Sequence, residues 1–308
     1  MPSSPLRLIF MGTPEFAVPS LQTLVEHGHR VVAVITAPDK PAGRGRKLTA
    51  SPVKAYAVSQ GIPVLQPEKL KNPDFLEELR AYQADLQIVV AFRMLPEAVW
   101  AMPPKGTFNL HASLLPDYRG AAPINWAVIN GETETGVTTF FLQHEIDTGD
   151  LIFQETEPIR PDDTAGSLYE RLMHKGAELV LRTVDAIAAG EAPRIPQRPP
   201  QEEKRAPKIF RETCQIDWQQ PSQKIVDFVR GLSPYPSAWT ELNGRTYKIH
   251  RVADAGPQPE PLAAGALLTD AKTHLYVGTA DGRVAVEELQ PEGKRRMAIE
   301  EFFRGNEL

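Results

Sequence analysis

The apolar positions of the chain fall into two alternating periods. Arg7-Leu8-Ile9-Phe10-Met11 is a short apolar run that stops at Gly12. Thr13-Pro14 follows and reads as an N-cap with a proline in the first helical position. Val18, Leu21, Leu24 and Val25 then repeat at helical spacing up to His27-Gly28. Val31-Val32-Ala33-Val34-Ile35-Thr36 has no polar alternation, the pattern of a strand buried on both faces. A helix near Ser51–Gln60, a strand at Ile62–Leu65, a helix near Pro73–Tyr82 and the apolar run Leu86–Phe92 continue the rhythm. Thr107–His111 and Val137–Leu142 add two further strands. This pattern predicts an α/β domain, a Rossmann-like, mostly parallel sheet with helices on both faces.

Thr164 to Ala189 reads as one long helix with Leu168, Leu172, Val180, Val184 and Ile187 on one face. The composition then shifts. Gly190 to Lys208 holds five prolines among charged and polar residues, which reads as a semi-rigid linker. Beyond it, Pro221–Gly231 is helical in period, and Ala238–Leu242, Thr246–Arg251, His274–Val277 and Arg283–Glu287 are short strands, with an Asn243-Gly244 hairpin signal between the first two. The expected layout is a catalytic domain over 1–189, a linker over 190–208 and a small OB-like β-barrel over 209–308.

A length of 308 residues suits two such domains, and 42% hydrophobic residues are enough to bury their cores. No apolar run approaches the ~20 residues of a bilayer span, and the N-terminus lacks a basic segment followed by a long apolar one. A cytoplasmic protein is therefore expected. Cys214 is the one cysteine, which excludes an intramolecular disulfide and a multi-cysteine metal site. The seven histidines lack paired ligand spacing, so no metal is expected. A net charge of -5 means that any contact with nucleic acid must come from a local patch. The first strand is followed by Gly12-Thr13-Pro14-Glu15-Phe16, neither a G-x-G-x-x-G fingerprint nor a Walker A loop, so NAD and ATP are not implied. Nothing in the chain suggests an assembly interface, and a monomer is expected.

Chemistry-bearing residues concentrate in Asn109-Leu110-His111-Ala112-Ser113-Leu114-Leu115-Pro116-Asp117-Tyr118-Arg119-Gly120. Asn109 and His111 alternate on a strand and so leave it on one face, at the carboxyl end where open α/β sheets place ligands. Asp147-Thr148-Gly149-Asp150 follows the strand Val137–Leu142. An amide, an imidazole and a carboxylate could converge on one crevice. Taken singly each is an ordinary loop residue, and Asp-Thr-Gly is a common turn. Asp39 to Leu48 reads as a loop with four cations, Lys40, Arg44, Arg46 and Lys47, a concentrated positive spot on an acidic chain.

The run from Asn109 to Gly120, with Gly136-Val137-Thr138 and Asp147-Thr148-Gly149, resembles the folate-dependent formyltransferases. The resemblance extends from Ile9 to the C-terminus and includes Lys40–Leu48, Ser51-Pro52-Val53-Lys54 and Gln290-Pro291-Glu292-Gly293-Lys294. It implies 10-formyltetrahydrofolate as formyl donor, the α-amino group of initiator methionyl-tRNA as acceptor, for translation initiation, and Asn109, His111 and Asp147 as the catalytic trio. It also implies that Ser113, Leu114, Leu115 and Pro116, with Phe92, Arg93, Met94 and Leu95, border the folate, and that the cations of the 39–48 loop meet the tRNA acceptor end. Clusters at Lys204-Arg205, Arg245/Lys248/His250/Arg251 and Lys294-Arg295-Arg296 are expected to face the RNA or to be solvated strand edges. Two stretches depart from the tRNA-directed pattern. Phe92–Pro96 replaces Ala-Tyr-Gly-x-Ile-Leu-Pro, and Gln143-His144-Glu145-Ile146 stands where Asp-x-Gly-Leu is common. Both look more like glycinamide ribonucleotide formyltransferase, which keeps that acceptor and sugar nucleotides open as alternatives. A non-catalytic tRNA-binding protein on the same fold is the alternative of another class.

Overall fold

The computed structural model describes residues 5–42, 47–199, 203–256 and 262–308. Up to Pro158 the strands are β1 (Arg7–Gly12), β2 (Arg30–Ile35), β3 (Lys40–Ala42), β4 (Lys47–Thr49), β5 (Val64–Leu65), β6 (Leu86–Val90), β7 (Thr107–His111), β8 (Arg119–Gly120), β9 (Glu134–Phe141) and β10 (Leu151–Pro158). The helices are α1 (Val18–Glu26), α2 (Pro52–Ser59), α3 (Pro73–Ala81), α4 (Glu97–Trp100), α5 (Pro123–Ile129) and α6 (Ala165–Ala189). Seven strands form one sheet in the order β10-β9-β7-β6-β1-β2-β5. The run from β7 to β5 is parallel, and β9 joins β7 antiparallel. All five residues of β6 are buried, as a strand in a two-sided parallel sheet must be, and the one polar member, Gln87, accepts a hydrogen bond from the Thr107 hydroxyl at 3.1 Å. Ile9 and Met11 of β1 pack with Phe75 and Leu79 of α3 on one face.

The strand order reverses beside β1, with β2 and β5 on one side and β6 and β7 on the other. The carboxyl ends of β1 and β6 thus mark the topological switch point, the place where open α/β sheets take ligands. Gly12 ends β1 opposite Val90, where a Cβ would come within 2.7 Å of Ala17 and 3.0 Å of the Val90 carbonyl.

Local structure departs from the sequence pattern at two places in this region. Thr13 does not cap a helix. A single 3-10 turn, Glu15–Ala17, comes first, and α1 starts at Val18. Pro19 explains the shift, because a proline is accommodated in the first turn and would break a helix begun at Pro14. The loop expected over Asp39–Leu48 is instead an antiparallel ladder of β3 on β4, pairing Lys40 with Thr49 and Ala42 with Lys47. Arg44 and Arg46 lie outside the described residues.

The chain folds as two compact units. The first comprises Met1–Arg119, Gly136–Glu157 and Glu170–Lys204, and the second Gly120–Thr135, Pro158–Tyr169 and Arg205–Leu308. The second unit adds β11 (Arg205–Ala206), α7 (Ser222–Leu232), β12 (Ala238–Leu242), β13 (Arg245–Asp254), β14 (Leu267–Thr269), β15 (Leu275–Gly278), β16 (Arg283–Pro291), β17 (Met297–Ala298) and α8 (Ile299–Phe303). Its curled antiparallel sheet runs β12-β13-β16-β15-β14, with β17 on β16. Tyr247, Ile249, Leu275, Val277, Val284 and Leu289 fill its core against Ile225, Val229 and Leu232 of α7. The result is the barrel-like second domain that the short alternating strands predict.

Candidate active site

β7 sends Asn109 and His111 out on one face and Leu110 on the other. Beneath Leu110 lies Gly176 of α6, where a Cβ would come within 2.6 Å of a Leu110 methyl, so the helix seats directly against this strand. Asn109 is half-buried, and its amide makes no hydrogen bond among the described residues. His111 is 6% exposed. Its Nε2 lies 2.9 Å from the Tyr118 carbonyl oxygen. A carbonyl only accepts, so Nε2 carries the proton and donates. The other ring nitrogen, Nδ1, faces Oδ2 of Asp147 at 4.0 Å.

Asp147 reaches that position from the turn between β9 and β10. Its φ is +56°, the left-handed region that aspartate tolerates better than most residues. Two residues on, Gly149 lies so close to the chain that a Cβ would stand 1.7 Å from the Phe141 carbonyl oxygen. The order Asp-Thr-Gly therefore answers two backbone demands of this turn as well as placing the carboxylate. Inside the turn, Gln143 donates to Thr148 Oγ1 at 2.6 Å and Thr148 to the Glu145 carbonyl at 3.1 Å.

Sequence reasoning missed two residues here. Gln197 Nε2 donates to the carbonyl oxygens of both Asp147 and Gly149 at 2.9 Å, and Arg119 Nη2 donates to Gln197 Oε1 at 2.5 Å. Arg119 lies within the Asn109–Gly120 motif, where nothing in the sequence marks it out for this contact. Gln197 sits in the proline-rich stretch read as a linker. Composition carries no signal for its contact, because a single glutamine between prolines has no periodicity to betray it.

The Ser113–Pro116 stretch lies beside the trio, with its side chains largely turned inward. Ser113 is fully buried and its hydroxyl donates to the Asp117 carbonyl at 2.6 Å. Leu115 is buried as well. Thr138 donates to the Ser113 carbonyl at 2.6 Å and accepts from the Leu115 N–H at 3.2 Å, while Gln154 donates to the Leu115 carbonyl at 2.9 Å. Leu114 lies over Gly136, where a Cβ would come within 2.5 Å of its methyl. Pro116 follows a cis bond from Leu115 and is half-buried. Side chains of Ser113 and Leu115 are thus spent on holding the loop.

Phe92–Leu95 leaves the carboxyl end of β6 after Ala91, whose φ is +47°. Phe92 and Leu95 pack against the core, and Met94 stands 73% exposed. Arg93 is fixed by its guanidinium, which donates to the carbonyl of Glu68 at 2.9 Å and to that of Pro67. Burial lowers the Arg93 pKa from its ordinary value.

Lys40 and Lys47 fall on paired strands of the β3–β4 hairpin. At the foot of the hairpin, Lys54 Nζ meets Asp39 Oδ2 at 2.6 Å and Gln66 donates to Oδ1 at 2.8 Å, and both hydrogen bonds pull the Asp39 carboxyl below its ordinary value. Three cations of the basic clusters in the second unit are paired with glutamates. Arg251 pairs with Glu287, Arg295 with Glu301 and Arg296 with Glu288. His250 is buried at a bulge of β13 and its Nε2 lies 3.2 Å from Gln290 Oε1, so it does not belong to an outward cationic face.

The family profile described as "Formyl transferase" matches residues 6–184, and that described as "Formyl transferase, C-terminal domain" matches residues 208–307. A methionyl-tRNA formyltransferase of Bacteroides fragilis is 56% identical over 316 aligned residues, covering 100% of this chain and 97% of that protein. One from Parabacteroides distasonis is 57% identical over 315, covering 99% and 97%. Among solved structures, the N-formyltransferase of Helicobacter canadensis in complex with folinic acid and dTDP-3-aminofucose shares the fold at 20% identity, with a TM-score of 0.69 over 95% of this chain and 100% of that one. HypX from Aquifex aeolicus in complex with tetrahydrofolic acid shares it at 22% identity and a TM-score of 0.66, over 98% of this chain and 48% of that one. With both of its parts matched and more than half of its residues identical to such relatives across its full length, the chain belongs to the formyl transferase family, among the methionyl-tRNA formyltransferases.

Proposed function

We propose that the protein transfers the formyl group of 10-formyltetrahydrofolate to the α-amino group of methionyl-tRNA, with Asn109, His111 and Asp147 as the groups at the reacting atoms. The observation that carries the reading is the meeting of His111 Nδ1 and Asp147 Oδ2, 4.0 Å apart, on the face of β7 that also presents the Asn109 amide. The crevice suits a flat heterocycle with a hydrogen-bonding edge. Met94 stands exposed beside the half-buried Phe92 and Leu95, an apolar surface that a pterin ring can cover, and the 113–116 loop supplies backbone groups. Bound there, the folate supplies an activated formyl group.

The roles of the side chains follow from their donors and acceptors. The Asn109 amide donates to the formyl oxygen as negative charge gathers on it, and loss of such a donor costs about 3–4 kcal/mol of barrier. His111, with Nε2 committed to the Tyr118 carbonyl, has Nδ1 left to exchange a proton. Asp147 balances the charge when both nitrogens are protonated, and accepts the proton that the attacking amine must lose, directly or through a water. The cations of the 39–48 stretch, Lys40, Arg44, Arg46 and Lys47, would serve the acceptor end of the tRNA, and translation initiation in the cytoplasm would be the setting. Full-length likeness to proteins named for methionyl-tRNA supports this acceptor over glycinamide ribonucleotide. Turnover with 10-formyltetrahydrofolate and each acceptor tests it. Formylation of methionyl-tRNA alone is expected, and comparable kcat/KM values on both acceptors would replace this reading with the alternative.

A further inference from the structure

We propose that Gln197 is a positioning residue for the transfer step. It holds the backbone of the 147–149 turn so that Asp147 meets His111, and Arg119 fixes the orientation of its amide. The proposal rests on the role given to Asp147 above.

The argument begins with register. Leu151 and Ile195 exchange two backbone hydrogen bonds, 2.8 and 3.0 Å, as an isolated antiparallel bridge. In an antiparallel pairing two steps forward on one chain lie opposite two steps back on the other, which brings Gln197 to Gly149. The guanidinium of Arg194, over the Phe141 ring at 4.0 Å, anchors the same segment one residue before the bridge. A stretch of composition typical of a linker is therefore docked along the catalytic turn.

Chemistry then decides what the docked side chain does. The two carbonyls it meets can only accept, and the guanidinium behind it can only donate. Glutamine is the side chain that satisfies both at once, its NH2 toward Asp147 and Gly149 and its oxygen toward Arg119. The clamp falls on both ends of a three-residue stretch whose first member has a left-handed backbone. Such a conformation persists when its surroundings over-determine it. Internal bonds of the turn involve Gln143, Glu145 and Thr148, so the carbonyls flanking the catalytic carboxylate are gripped by Gln197.

Two variants of the full-length protein test this. Gln197→Glu keeps the shape and the Arg119 partner but turns an acceptor toward two acceptors, and Gln197→Ala removes the clamp. Both should fold, by far-UV circular dichroism, and both should lower kcat by roughly 10–100-fold, the range expected when a reacting group is misplaced by about 1 Å. KM for 10-formyltetrahydrofolate should stay within about twofold of the parent. Single-turnover rates with excess enzyme should show that Gln197→Ala costs nothing further in an Asp147→Asn background. A parental kcat in Gln197→Glu, or an equal loss in both backgrounds, overturns the proposal. A parental rate in Asp147→Asn alone overturns instead the role of Asp147 on which it rests.

Discussion

At the residue scale, the site asks different things of neighbours that look alike in sequence. Asp147 supplies a carboxylate to His111, whereas Gly149 supplies only the absence of a Cβ. Asp147→Asn keeps the shape and removes the proton acceptor, so transfer should fall by about 10²–10⁴-fold with the fold intact. Rates across the pH range check this, and a variant of near-parental rate would take Asp147 out of the mechanism. Gly149→Ala must push the turn off the Phe141 carbonyl, at a cost of about 1–3 kcal/mol and a fall of at least roughly tenfold in kcat. Thermal melts read beside single-turnover rates separate the two effects. Asn109, His111 and Asp147 stand out in the sequence as candidates through the long motif that resembles the formyltransferases, and the structure adds that His111 and Asp147 lie side by side. Gln197 does not stand out, since its role exists only once two segments fifty residues apart lie side by side.

At the scale of elements, the sequence pattern found the strands that are buried on both faces and the long helices. It lost strands that are short or rich in polar residues. β10 opens with three apolar residues, Leu151-Ile152-Phe153, and continues with Gln154, Glu155, Thr156 and Glu157, so it shows no apolar alternation and becomes visible only beside β9. The 39–48 stretch has the glycines and cations of a loop, and the ladder of β3 on β4 is three residues long on each side. This stretch yields a prediction about charge. Replacing Arg44 and Arg46 with Ala should lower kcat/KM for methionyl-tRNA and leave affinity for the folate unchanged. If each arginine holds a phosphate, the salt dependence should flatten by about one unit per residue. Kinetics at two salt concentrations measure it, and an unchanged kcat/KM at both would return the stretch to ordinary solvated surface.

For the whole molecule, a net charge of -5 and the pairing of Arg251, Arg295 and Arg296 with glutamates leave little general attraction for RNA. Recognition must rest on a few local cations. Stability has its own electrostatic signature. Glu157 of β10 meets Arg171 at 2.7 Å and Lys175 at 3.3 Å, both on α6. Burial works against ionisation of Glu157, but the two cations outweigh it and hold the carboxyl below its ordinary value. A carboxylate whose folded-state pKa is lowered contributes stability above its unfolded value of about 4.3 and loses it as pH falls through the folded value. Glu157→Gln should therefore cost about 1–2 kcal/mol near pH 7, and the gap to the parent should close on acidification below about pH 4. Urea midpoints at neutral and acid pH would falsify this if the gap widened instead.

The clasp on the 147–149 turn also has a consequence in time. A nascent chain emerges from its N-terminus, and every strand of the sheet except β10 has been made by the time Asp147 appears. Gln197 is synthesised fifty residues later, after the whole of α6. If Asn109, His111 and Asp147 act as proposed, an enzyme still being translated would complete its sheet and present the first two while the third waits on a turn that Gln197 does not yet hold. Competence arrives late, with a short stretch of chain that by composition looks like mere tether.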